Sequence, residues 1–85
     1  MRRWGMALVR FYAAARDAAG APEASVDASS TTELVDRLAT EFGEPMQRVL
    51  RIASLLVDGQ QVSAGVDVPL ASTATVDVLP PFAGG

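Results

Sequence analysis

Apolar positions in this chain recur first at every second residue, then at every fourth, then at every second again. Leu8, Arg10 and Tyr12 alternate with Val9 and Phe11, which predicts a first strand over Ala7 to Ala13. Residues 16–22 (RDAAGAP) leave that strand through a short helical turn ending near Gly20. A second short strand over Ala24 to Ala28 would pair back on the first. Ser30 is placed to cap a helix, with Glu33 three residues on completing a capping box. Leu34, Leu38 and Phe42 fall at steps of four, with Val35 and Ala39 beside them, and make one apolar stripe. Gly43 offers a left-handed stop and Pro45 blocks continuation. Met46 to Ile52 reads as a second, shorter helical piece with Met46, Val49 and Leu50 facing inward. Ser54 to Val57 is a buried-looking strand, Asp58-Gly59 a hairpin turn, and Gln60 to Ser63 the returning strand. Val66 to Leu70 falls on an irregular connection, where Pro69 argues against a central strand. Thr75 to Leu79 is the last strand, ended by Pro80 and Pro81.

The order is β-β-α-β-β-β. It predicts an α+β fold on the β-grasp (ubiquitin-like) plan, a mixed sheet of four to five strands with one main helix across one face. The expected division is a domain over residues 1–79 and an extended tail over 80–85. Eighty-five residues make one small core, with little room for an internal active site. The chain has no cysteine and no histidine, which removes disulfides, thiol nucleophiles, the common zinc ligands and the commonest general base. No metal site and no bound cofactor are expected. A net charge of −3 opposes nucleic-acid binding. No apolar run approaches the ~20 residues of a membrane helix. Arg2 and Arg3 resemble a charged leader, but Arg10, Arg16 and Asp17 interrupt the stretch that follows, so a cytoplasmic protein is expected. All seven cations are arginine, so no side-chain amine is present to accept an isopeptide bond.

The tail reads Pro80-Pro81-Phe82-Ala83-Gly84-Gly85. Two prolines favour an extended exit and remove two backbone donors, which makes a stiff arm. Gly84 and Gly85 lack Cβ and can enter a channel too narrow for any other residue. Such an arm suits a substrate that threads another protein's active site and is acylated there. A Gly-Gly end alone reads more simply as a frayed terminus; joined to a β-grasp order, the functional reading leads.

At this point the chain resembles the MoaD/ThiS family, and within it the small sulfur-carrier subunit of molybdopterin synthase. Phe11-Tyr12-Ala13-Ala14-Ala15-Arg16-Asp17-Ala18-Ala19-Gly20 is similar to that family's opening strand and turn. Val57-Asp58-Gly59 resembles its hairpin, and Leu79 through Gly85 its ending. The Pro-Pro before the last four residues favours the molybdopterin branch over the thiamine branch. Ala71-Ser72-Thr73-Ala74 stands where members carry an acidic Asp-Gly-Asp turn, which removes the residues that favour a tight turn there. Met1 to Gly5 have no counterpart, which leaves both Met1 and Met6 open as the start.

The resemblance implies a mechanism in which the chain is a sulfur-donor subunit, without catalytic groups of its own. An E1-like adenylating enzyme (MoeB-like) would use ATP to activate the Gly85 carboxylate. A sulfur donor would then replace the adenylate and leave a thiocarboxylate, ionised near neutral pH without a local base. A large synthase subunit (MoaE-like) would accept the tail and pass the sulfur to a cyclic pterin precursor. Alternative readings are a carrier for thiamine or cysteine synthesis, a protein modifier joined through Gly85, or a plain interaction domain. The partner-binding residues implied are Tyr12, Leu79, Pro80, Pro81, Phe82 and Ala83, with Gly84 and Gly85 at the reacting end. Tyr12 and Leu79 would form an apolar patch at the base of the tail, and Phe82 would anchor it. Arg16 is either a bridge to an acidic partner group or a solvated charge at a turn.

Overall fold

A computed structural model describes residues 6–62 and 66–81. The strands are β1 (Met6–Phe11), β2 (Glu23–Asp27), β3 (Ser54–Val57), β4 (Gln60–Val62) and β5 (Thr75–Leu79). The helices are α1 (Ala14–Ala19), α2 (Thr31–Phe42) and α3 (Glu44–Ile52). All five strands join one sheet in the order β2-β1-β5-β3-β4, with β1 and β5 parallel at its centre and every other pair antiparallel. The expected β-grasp plan is therefore present, with the sheet at the upper end of the predicted strand number. The place of Ser63 in the returning strand lies outside the described residues.

The core forms where the two periodicities meet. Ala7, Val9 and Phe11 of β1 and Val76 and Val78 of β5 point to one face, and Leu34 and Leu38 of α2 cover them; all are at most 2% exposed. Phe42 closes the end of this layer with its ring edge against Phe11, centroids 5.7 Å apart and planes at 81°. Met46 of α3 is fully buried, and Val49 and Leu50 pack against the core as their spacing predicts.

Three local expectations need correction. The first strand stops at Phe11, short of Ala13, because the chain turns sharply at Tyr12. Ala13 adopts φ 53°, ψ −124°, and the Ala15 amide donates to the Tyr12 carbonyl at 3.1 Å. That is a type II′ turn with alanine in the position that favours glycine. Gly43 has positive φ (78°) with extended ψ (−160°) and so ends α2 in a glycine-only region outside the left-handed helical one. The same residue caps α3, and Pro45 sits in the first turn of that helix, where a missing amide costs nothing. Pro45 therefore starts a helix as well as following one.

The capping box is shifted by one residue. Ser30 Oγ accepts from the Glu33 amide at 3.2 Å, but the Glu33 carboxylate accepts from the amide and hydroxyl of Ser29, at 2.8 and 3.0 Å. Asp67 reaches the same helix end, its Oδ1 accepting from the Thr32 amide at 3.0 Å. These bonds hold both carboxyls below the usual range, through the Ser29 amide for Glu33 and the Thr32 amide for Asp67. Ala71 to Ala74 closes as a tight turn after all, the Ala74 amide donating to the Ala71 carbonyl at 3.0 Å.

Candidate functional site at the base of the C-terminal arm

β5 delivers the arm. Its inward residues Val76 and Val78 are fully buried, while Thr75, Asp77 and Leu79 lie on the other face, as alternation predicts. The strand has a partner on both sides, so its end is held by both neighbours. Leu79 pairs with Ser54 of β3, and the Tyr12 amide donates to the Val78 carbonyl at 3.2 Å. Pro80 and Pro81 follow, both exposed, and neither can donate to extend the ladder.

The open face of the sheet beside this exit carries one strong polar contact. Arg10 Nε donates to Asp77 Oδ1 at 2.6 Å and Nη2 donates to Oδ2 at 3.1 Å, a bidentate pair across the β1–β5 seam. The Asp77 residue is 9% exposed. Arg10 stays about half exposed, and its pKa lies above the ordinary arginine value because of this hydrogen bond and the facing charge. The pair neutralises the centre of the face. Half-buried Leu8, Leu56 and Leu79 share that face with it.

At the arm's root the surface folds into an apolar notch of about 80 Å³. β1 and its turn contribute Tyr12, Ala13, Ala14 and Ala15; α3 and the residue after it contribute Val49, Ile52 and Ala53; the arm contributes Leu79, Pro80 and Pro81. Apart from the Tyr12 hydroxyl, no lining side chain among the described residues is polar, and none of them is an acid, a base or a metal ligand. Its rim is open: Tyr12 is 39% exposed and Ile52 63%. Such a surface can dock an apolar group but cannot do chemistry on one.

Four of the residues expected at the partner contact, Tyr12, Leu79, Pro80 and Pro81, therefore converge on one notch. Phe82, Ala83, Gly84 and Gly85 lie outside the described residues. Sequence periodicity missed Ile52 and the alanine run at 13–15. Ile52 sits at the last position of α3, off the stripe set by Met46, Val49 and Leu50, and that offset was the available signal for an outward apolar residue. Arg16 lies exposed on α1, away from the notch lining.

Two larger grooves lie elsewhere. One, between β2 and α2, is rimmed by Asp27, Glu33, Asp36 and Glu41; the other lies between α2, α3 and the β3–β4 hairpin. Neither is lined by a described residue of the arm. Among the described residues no cluster of carboxylates fit to hold a metal ion occurs, and no helix is long and apolar enough to cross a membrane.

Comparison with known proteins bears on this geometry. A comparison with curated protein sequences returns no match. Among solved structures, the small archaeal modifier protein 1 of Methanosarcina acetivorans superposes with a TM-score of 0.76 at 20% identity, over 99% of this chain and 100% of that one. Its namesake from Haloferax volcanii gives 0.74 at 20% identity, over 95% and 100%. Subunit 1 or 2 in the complex of molybdopterin-converting factor from Helicobacter pylori gives 0.71 at 21% identity, over 94% and 99%. These likenesses establish the fold. The family model described as "ThiS family" matches residues 9–85, nearly the whole chain and including the arm. The chain belongs to the ThiS family.

Proposed function

We propose that the chain is the sulfur-carrying small subunit of a molybdopterin synthase, acting through the Gly85 carboxylate. A carboxylate oxygen attacks the α-phosphate of ATP on an activating enzyme, and pyrophosphate leaves. Hydrosulfide released by a sulfur donor then attacks the acyl carbon, AMP and a proton leave, and a thiocarboxylate remains. The sulfur passes to a cyclic pterin precursor held by a large subunit, and water restores the carboxylate. ATP, the activating enzyme and the sulfur donor are all external to this chain.

One observation carries the reading: a central strand paired on both sides ends in two exposed prolines beside a notch that is apolar but for the Tyr12 hydroxyl. The division of labour follows from physical chemistry. The rigid strand fixes the arm's origin, the prolines limit the entropy lost on docking, and the notch and the Leu79 face supply apolar contact. From Pro81, four residues reach at most about 14 Å, which sets how deep the carboxylate can enter a partner. Phe82 and Ala83 would line that path.

A second reading is supported by the likeness to the two archaeal modifier proteins. In it, the activated Gly85 is attacked by an amine of another protein. With no lysine of its own, the chain cannot extend such a conjugate through its own side chains.

The test is pyrophosphate exchange with the activating enzyme of the same organism. Exchange that requires this chain, disappears when Gly85 is deleted, and weakens in Leu79→Asp is the expected result. Exchange that is indifferent to Gly85 would remove the carrier function.

A further inference from the structure

We propose that the outer edge of β2, with the groove between β2 and α2 beside it, binds an extended basic segment of a partner protein as a sixth strand of the sheet. The proposal concerns a second docking surface and stands whether or not Gly85 carries sulfur.

β2 closes the sheet on one side, and among the described residues its only ladder partner is β1. The Phe11 amide donates to the Pro22 carbonyl at 2.8 Å, and the register continues through Val9↔Ala24 and Ala7↔Val26. Bonded and non-bonded pairs alternate in an antiparallel ladder, so the amides and carbonyls of Ala24 and Val26 face β1. Those of Glu23, Ser25 and Asp27 face outward, a row of donors and acceptors that an extended chain can pair with. No proline and no register break interrupts this row. The opposite edge, β4, is shorter, with three residues against five.

Charge identifies the occupant. Glu23 and Asp27 are exposed on the strand itself. Across a groove of about 690 Å³, α2 presents exposed Asp36 and Glu41, beside Glu33 and Arg37, which pair with each other at 3.3 Å. Among the described residues, Asp27, Asp36 and Glu41 have no cation partner. From Glu33 to Glu41 the helix rises about 12 Å, close to the roughly 13 Å that Glu23 to Asp27 cover as a strand. An added strand of about five residues would therefore run between two acidic walls, its long basic side chains crossing the groove toward Asp36 and Glu41. The same charges oppose a second copy of this chain. Two β2 edges paired antiparallel about Ser25 would set Glu23 of one against Asp27 of the other. The groove and the notch share no lining residue, so an occupant here leaves the root of the arm uncovered. A partner held at β2 can retain the chain while the arm is presented elsewhere.

The experiment is an NMR titration of the 15N-labelled full chain with a capped seven-residue peptide alternating arginine and valine. The expected result is saturable shifts of the Glu23, Ser25 and Asp27 amides, with affinity lowered about tenfold or more when the peptide amides are N-methylated. Asp36→Asn combined with Glu41→Gln should weaken binding severalfold while far-UV circular dichroism stays unchanged. Equal affinity for the N-methylated peptide overturns the proposal, since it reduces the contact to charge alone. So do the absence of saturable binding, shifts that map away from β2, and binding seen only in a chain starting at Met6, which gives the edge to the chain's own terminus.

Discussion

Ala13→Gly should stabilise the protein, which reverses the usual sign of an alanine-to-glycine change. Ala13 occupies the first central position of the type II′ turn at φ 53°, ψ −124°. A non-glycine residue held in so sparsely populated a region costs of order 1–3 kcal/mol. Glycine removes that cost but adds freedom to the unfolded chain, worth roughly 0.5–1 kcal/mol against folding. Ala13 is exposed, so little buried surface is lost. The balance favours glycine by about 1 kcal/mol, which for a domain of this size raises Tm by roughly 4–8 °C. The assay is urea denaturation followed by far-UV circular dichroism, with an unchanged slope confirming that only stability moved. Ala14→Gly, one residue on and inside α1, is the control and should lose roughly 0.5–1 kcal/mol. A loss of stability in Ala13→Gly equal to that of the control would refute the turn assignment.

Other consequences are equally open to measurement. Leu79→Asp and Ile52→Asp should each weaken partner binding about tenfold or more, as truncation of a docking contact does, with stability barely changed; unaltered affinity by titration calorimetry would remove the notch from the interface. Met46→Ala empties a fully buried site beneath α3 and should cost about 2–5 kcal/mol. A cost under about 1 kcal/mol in chemical denaturation would contradict its burial. Glu33 and Asp67 have lowered folded-state pKa values, so the unfolded chain binds their protons first as pH falls. Their stabilisation is present above about pH 4 and fades as pH drops through their folded values. Glu33→Gln and Asp67→Asn should therefore lower stability at pH 7 and flatten its loss as pH falls below the ordinary carboxylate range; a wild-type acid profile in both variants would contradict the capping role.

The element order could be anticipated because β1 and β5 alternate apolar and polar residues and α2 carries one apolar stripe. Val76 and Val78 against Asp77 and Leu79 are readable without coordinates, and so is Asp58-Gly59, whose two positive φ values give a type I′ turn. What escaped was governed by tertiary context. The β1 alternation runs on through Tyr12, and no glycine marks the turn at Ala13 that ends the strand. Pro45 carries the same identity as a stop or a start, and only the burial of Met46 one residue later decides between them. Ser29 and Ser30 are both competent caps, and backbone geometry alone divides the two halves of the capping box between them. At the site, Leu79 was legible as an apolar exception on a polar face and the two prolines as the start of the arm. Ile52 and the alanines were not, because their role comes from α3 and the turn meeting the arm in space.

The central claim is that Gly85 carries sulfur, and the most direct test is the intact mass of the chain after incubation with ATP, the activating enzyme and a sulfur donor. The account predicts a species heavier by the difference between sulfur and oxygen, located to Gly85 by fragmentation and absent from a chain lacking that residue. A single unmodified mass, with the same enzymes demonstrably active on another carrier, would contradict it.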